Sequence, residues 1–264
     1  MRDNLRIGAV QYLNSKPLIE CLPDLFPEAE IVTDLPSRLA EGLSAGRFDV
    51  ALIPSVETFR LAGARVVSDA CVACNGPVRS VKLFGRVAPE RITTLALDEG
   101  SRTSAALARI LLQERFSVEP QLRPLPIGSA VARFDADAAV VIGDRAIPPV
   151  DGDFAFVWDL GAEWVDWTGL SFVFAMWTTG PQVAVEGLRA RFAEARDRGI
   201  ERIRQIACRE APAVGITEED CLSYLQEALV FRLGPRQREG LQRFGRLAIA
   251  HGLAPQEARF VFDD

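Results

Sequence analysis

At 264 residues, with 48% hydrophobic and 25% charged residues, the chain has ordinary water-facing globular composition and length enough for one large domain or two lobes. A net charge of -6 argues against a nucleic-acid surface, and no export signal or membrane span is apparent, so a cytoplasmic protein without a membrane partner is expected. One histidine, His251, and five cysteines, an odd number, argue against a catalytic triad, a zinc cluster and a disulfide framework.

Leu5 to Val10 reads as a buried strand, followed by the turn Gln11-Tyr12-Leu13-Asn14-Ser15-Lys16-Pro17 and an amphipathic run through Ile19 and Leu22. Glu30 to Leu35 repeats the strand pattern. Pro36-Ser37 opens a helix with Leu39 and Leu43 on one face, ending at Gly46. Phe48 to Ser55 is a second buried strand, closed by Pro54 and Ser55 and leading into Val56 to Leu61. Three strand-then-helix units in about 60 residues imply a parallel sheet with helices on its faces. Val72 to Val87 reads as an extended connection. Cys71 and Cys74 form C-x-x-C, but no helix start follows and no second ligand pair exists, so they read as buried thiols.

Ile92 to Leu97 is apolar and ends in Asp98-Glu99-Gly100. Ser101-Arg102-Thr103-Ser104 then precedes Leu107, Ile110 and Leu111 at helical spacing. Free amides and the positive end of the helix dipole would meet there beside three hydroxyls and Arg102, which makes an anion-binding jaw. The plain alternative is an ordinary N-cap. Gln121 to Pro126 follows, then Asp137 to Ile142, a fully buried strand that empties into Gly143-Asp144-Arg145.

In open α/β sheets ligands bind at the carboxyl ends of strands. Asn14 is therefore the candidate second jaw, against the alternative of a turn Asn before a Pro-started helix. Ser55, Glu57 and Asp144 lie at similar strand ends. Asp144 reads either as an acid-base group or as a partner of Arg145 or cap of the next turn.

Phe154 to Trp158 and Phe172 to Trp177 read as extended, with the three tryptophans from Trp158 to Trp167 packing in the core. From Val185 the pattern is helical, with Leu188, Phe192, Ile203 and Ile206 on one side and alternating Glu and Arg on the other. Two more helices are predicted, over Glu218 to Phe231 and Pro235 to Gly252. There is no dinucleotide fingerprint, P-loop or metal-ligand set, so no cofactor and no metal are expected.

Five separated motifs, Tyr12-Leu13-Asn14-Ser15, Asp49 to Glu57, Ser101 to Ser104, Ile142-Gly143-Asp144 and Leu160-Gly161-Ala162-Glu163-Trp164, resemble the chorismate dehydratase family in the same order. These are the MqnA-type enzymes of the futalosine route to menaquinone. The resemblance covers most of residues 5 to 180. Two departures stand out: Ser171 follows Thr-Gly-Leu where Pro is expected, and Cys74 stands where Ser is commoner.

The resemblance implies a two-lobed α/β fold of the periplasmic-binding type II kind, with the ligand cleft between lobes. Lobe one would take 1–87 and 176–264, lobe two 88–175, with crossings near Val72 to Val87 and Phe172 to Thr179. It further implies that chorismate, a small dicarboxylate, loses water to give 3-[(1-carboxyvinyl)oxy]benzoate without a cofactor. On this reading Ser101, Arg102, Thr103 and Ser104 hold one carboxylate. Ser55 and Ser80 contact the other carboxylate or the ring hydroxyl, Asn14 is catalytic, and Asp144 contributes to the substrate site. A sister naphthoate-forming lyase of the same pathway and a non-catalytic carboxylate-binding protein of the same fold are the alternatives. The sequence leaves the oligomeric state open.

Overall fold

A computed structural model describes residues 4–131, 133–181, 183 and 186–258. The first sheet begins with β1 (Arg6–Val10), which lies parallel to β2 (Glu30–Asp34) on one side and β3 (Val50–Pro54) on the other. The chain returns through α3 (Pro36–Ser44) between β2 and β3 and leaves β3 through α4 (Ser55–Arg60), after two short helices, α1 (Lys16–Ile19) and α2 (Leu22–Leu25), that follow β1. All five residues of β3 are buried, and burial of its Val50, Leu52 and Ile53 stabilises the lobe by about 1.5–3 kcal/mol each. The parallel start expected from the three repeated units is present.

β4 (Arg65–Cys74) and the returning β10 (Phe172–Thr179) join this sheet antiparallel, giving the order β11-β4-β10-β3-β1-β2. The edge strand β11 (Val230–Arg232) pairs with β4 at Ala70 and Ala73. Here the structure departs from the helix expected over Glu218 to Phe231. α9 (Glu218–Ser223) runs into a π turn over Tyr224–Ala228, and the apolar residues after it extend along the β4 edge. Pairing with an open sheet edge satisfies backbone groups that a further helical turn would otherwise satisfy.

The second sheet has the order β7-β6-β8-β5-β9. β6 (Thr94–Asp98) lies between β7 (Gln121–Leu125) and β8 (Ala138–Ile142), all parallel, while β5 (Val81–Gly85) runs antiparallel between β8 and β9 (Phe156–Asp159). Pro124 falls on β7, an edge strand, where a missing N–H costs least. α5 (Thr103–Phe116) and α6 (Leu160–Thr168) follow β6 and β9.

The chain passes between the sheets at 75–80 and at 169–171. The expected divisions at 87/88 and 175/176 differ from these, because Val81–Gly85 is a strand of the second sheet and Phe172 already belongs to the first. Asp159 fixes the first passage: its carboxylate accepts from Val78 N (2.9 Å) and Arg79 N (2.6 Å) while capping α6 at Gly161 and Ala162. Gly161 is required there, since a Cβ would stand 2.7 Å from both Cys74 Sγ and Gly76 O.

Ser171 and Cys74, the two unusual positions, both sit at these passages. Ser171 donates to Asn75 Oδ1 (2.6 Å), and Gln237 Nε2 reaches both (3.2 Å each), so one hydroxyl ties the two passages to the last helix. Cys74 is fully buried, and burial pushes its thiol up to about 12.

α7 (Leu188–Glu201), α8 (Ile203–Val214) and α10 (Pro235–Ala250) complete the structure, α7 packing on α1 and β4 and α10 on β10, α4 and α5. The helical run expected from Val185 starts at Leu188; Val185 itself lies outside the described residues. Trp164, Phe172 and Phe244 meet edge to face in the core, with Trp167 against Trp164.

Candidate active site

Two strand ends, one from each lobe, face each other across a narrow space. After β1 the chain makes a 3-10 turn at Leu13–Ser15, held by the buried Ser15 hydroxyl, which bonds the carbonyls of Tyr12 and Val10. With Ser15 locked inward, Asn14 is the polar residue of the turn left facing the space. Its carboxamide makes no hydrogen bond among the described residues, and its Oδ1 is buried there without a partner. A buried polar atom left unmet costs about 1–3 kcal/mol, so its persistence points to a ligand.

The opposing turn leaves β6 at Asp98. The Asp98 carboxylate is buried and already filled, accepting from Gly100 N (2.9 Å), Ile142 N (3.2 Å) and Arg145. It makes the turn rigid and takes no part in the cavity. Ser101 Oγ accepts from Ala105 N (3.1 Å), the ordinary capping bond that the sequence left as an alternative.

Thr103 is also committed. Its Oγ1 accepts from Val56 N (3.2 Å) and lies 3.3 Å from Ser55 Oγ. Ser55 donates its own proton to Val173 O (2.7 Å), so Thr103 is the donor between the two hydroxyls. Thr103 thereby caps the first turn of α4 from the other lobe. What remains for a ligand are the Thr103 and Ser104 amides, which meet no acceptor among the described residues, and the Ser104 hydroxyl.

The cavity between the jaws has apolar walls from Val10, Val72, Val81, Ile142 and Phe174, suited to an unsaturated ring, with Asn14 and Thr103–Ser104 among its polar lining. Among the described residues no carboxylate, histidine or lysine side chain lines it. Arg102 and Tyr12 are its ionisable members, and burial, then the charge of Asp98, pushes the Tyr12 phenol well above its ordinary range. Tyr12 packs on Gly143, whose φ is +75° and where a Cβ would fall 2.7 Å from the Tyr12 ring. Free space amounts to about 50 Å³, against roughly 300–1,000 Å³ in most ligand pockets. The lobes must part to admit a substrate.

The remaining expected site residues sit behind this surface. Ser55 faces Val173 and Thr103 and does not line the cavity. Ser80 is buried beside the wall residue Val81, and its Oγ accepts from Tyr224 Oη (2.8 Å).

Asp144 does not pair with Arg145, which goes to Asp98; instead Asp144 Oδ1 accepts from Leu13 N (2.8 Å) across the lobes. Burial raises the Asp144 carboxyl to about 6, opposed by the Leu13 amide and by Lys16, with Glu210 adding to the rise. Glu57 is paired with Arg60 (2.6 Å) and also lies off the cavity. Tyr12 was not among the expected site residues, although it stands in a motif singled out by sequence; nothing in its spacing marks a ring that crosses to the other lobe.

A larger groove, of about 690 Å³, lies outside the cavity and shares Ser101 and Arg102 with it. The inner cavity is the better candidate site, because there the unmet groups converge. No group of three or more potential metal ligands occurs among the described residues, and no helix there is long and apolar enough to cross a membrane.

Residues 5–250 match a family model described as menaquinone biosynthesis. The chain is 29% identical over 235 residues to a chorismate dehydratase of Thermus thermophilus, covering 80% of this chain and 83% of that protein. It is 27% identical over 254 residues to a chorismate dehydratase of Campylobacter jejuni, covering 94% and 99%. Among solved structures, a protein from Archaeoglobus fulgidus superposes with a TM-score of 0.75 at 14% identity, covering 96% of this chain and all of that one. The periplasmic aliphatic sulphonate binding protein of Escherichia coli superposes with a TM-score of 0.62 at 20% identity, covering 98% and 96%. The second likeness agrees with the expected two-lobed binding-protein fold.

Proposed function

The chain belongs to the menaquinone biosynthesis family, and from that premise we propose that it is a chorismate dehydratase, a carbon–oxygen hydro-lyase that converts chorismate to 3-[(1-carboxyvinyl)oxy]benzoate and water. The observation that carries the reading is the unpartnered Asn14 carboxamide facing the free Thr103 and Ser104 amides across an apolar cavity.

The C3 hydrogen of chorismate is acidic through conjugation with the ring carboxylate. Its removal leaves charge delocalised toward that carboxylate, the C4 hydroxyl departs, and aromatisation drives the step. Two amides at the positive end of a 14-residue helix suit the ring carboxylate, where charge builds up. Asn14 then faces the C4 hydroxyl or the enolpyruvyl carboxylate, offering both a donor and an acceptor.

No carboxylate, histidine or lysine among the described residues lines the cavity, which favours a base carried by the substrate: its enolpyruvyl carboxylate, tethered at C3, has the effective concentration of an intramolecular group. The proton removed from C3 leaves with the C4 oxygen as water.

Incubating the purified protein with chorismate and following the product by chromatography tests the reading. Formation of the carboxyvinyloxy-benzoate is the expected result. Binding without turnover would mean a carboxylate receptor, and no interaction with chorismate would overturn the assignment.

A further inference from the structure

The outer groove lies between α3 and α4 of lobe one and β7 and α5 of lobe two. Five arginines line it, Arg38, Arg60, Arg102, Arg109 and Arg123, against three acidic residues, Glu41, Asp98 and Glu99. On a chain of net charge -6, this is a concentration of positive charge.

Arg60 is held by Glu57 (2.6 Å) and by Leu253 O (2.8 Å), but the acids that line the groove do little to cancel the other four. Asp98 is buried and spent on Arg145 and two backbone amides, and Glu99 accepts from Ile127 N (3.2 Å). Arg123 is tied to a fully exposed Asp135 (3.1 Å), and Arg38 to Asp34 at 3.5 Å; such exposed pairs exchange readily with a competing anion. Arg109, about two helical turns along α5 from Arg102, meets no hydrogen-bond or ion-pair partner among the described residues.

Between groove and cavity stands one ion pair, Arg102 to Glu41 (2.8 Å), which joins lobe two to lobe one with both side chains exposed. Arg102 lines both spaces. A carboxylate in the groove can therefore replace Glu41 on Arg102, releasing one contact that holds the lobes together while the ligand is already beside the inner jaw.

We propose that this groove is a second, weaker dicarboxylate site, centred on Arg109 and Arg123, that collects the dianionic substrate and passes it inward through exchange at Arg102. The inference rests on the dehydratase reading for the identity of its ligand, though not for the existence of the site. A cleft lined with one sign of charge raises the local concentration and encounter rate of an oppositely charged ligand, and added salt weakens the effect.

Calorimetric titration with isophthalate, a planar dicarboxylate, tests this on the full chain. Two classes of site are expected, the outer with a dissociation constant on the order of 1 mM at low salt. The double variant Arg109→Gln/Arg123→Gln should lose the outer class and keep the inner, and Ser104→Asp should do the reverse. The distal Arg204→Gln should keep both.

With chorismate, the double variant should lower kcat/KM about fivefold near 10 mM salt, with the deficit gone near 300 mM and kcat held throughout. A single class of site in the wild type, or an arginine double variant with an unchanged circular dichroism spectrum and unaltered isophthalate binding, overturns the groove. Two classes of isophthalate site with no turnover of chorismate would overturn the dehydratase reading and leave the groove standing.

Discussion

Lobe one presents the Asn14 side chain to the cavity, and lobe two presents the backbone of a helix start beside the Ser104 hydroxyl. The Asn14 carboxamide stands on a 3-10 turn pinned by the Ser15 hydroxyl and the Leu13 amide, while the Thr103 and Ser104 amides meet no acceptor among the described residues because a helix start cannot satisfy them internally. The difference assigns work: fixed dipoles at a helix N-terminus suit a carboxylate gaining charge, whereas an amide side chain, donor and acceptor together, suits a group that changes its protonation. It also separates what substitution can reach. Backbone donors can be obstructed but not deleted, and Asn14 can be deleted outright.

The sharpest test of this contrast is Asn14→Ala. Turnover is expected to fall about 10²–10³-fold, as when a positioned polar group is removed from an active site. Thermal stability should hold or rise by about 1 kcal/mol, because a buried orphan oxygen is removed. Activity and melting temperature measured on the same preparation check both; a large loss of stability would make Asn14 a structural residue.

On the opposite jaw, Ser104→Asp places a carboxylate against the free amides, where it occupies the helix end and repels an incoming anion. Chorismate affinity by calorimetry should fall at least about 100-fold, equivalent to about 2.7 kcal/mol. Unchanged affinity would move the anion site elsewhere.

Thr103 sits on the same jaw but serves the joint between lobes, so its loss should read as stability before activity. Thr103→Val leaves the Val56 amide without its cap and is expected to cost about 1–2 kcal/mol in denaturant unfolding, with turnover reduced only a few-fold. A variant as stable as the wild type would show that the cross-lobe cap carries no weight.

The helix start of the candidate donor jaw was legible because strand, acidic turn and small polar residues are local chemistry, and Asn14 was legible as lying just past a strand end. The use of each hydroxyl was not. Ser101 caps its own helix, and Thr103 and Ser55 are engaged across the lobes, through partners about 50 to 120 residues apart that no local pattern reveals. β5 was missed as a strand of the second sheet for a related reason: Val81–Gly85 is extended in sequence, and only its antiparallel insertion between β8 and β9 shows which lobe owns it. β11 is shorter still, three residues paired on an edge far away in the chain.

Asp144 is expected to be dispensable for turnover and to leave a clear signature in stability. It comes from lobe two, accepts the Leu13 amide beside Asn14, and is absent from the cavity lining. Its carboxyl is raised by burial to about 6 in the folded chain, against about 3.9 unfolded. Between those values the folded state binds the extra proton, so the contribution favours folding below about pH 4 and is lost as pH rises to about 6. Above that, a buried charge is carried at a cost on the order of 3 kcal/mol. Asp144→Asn keeps the oxygen that accepts from Leu13 and removes the titration. The difference in stability between wild type and variant should therefore grow in the variant's favour from pH 4 to pH 6.5 and then level off. Turnover of chorismate should stay within about tenfold of wild type, since a substrate-borne base needs no carboxylate here. Abolished turnover with binding and circular dichroism intact would make Asp144 the base and return Asn14 to an orienting role.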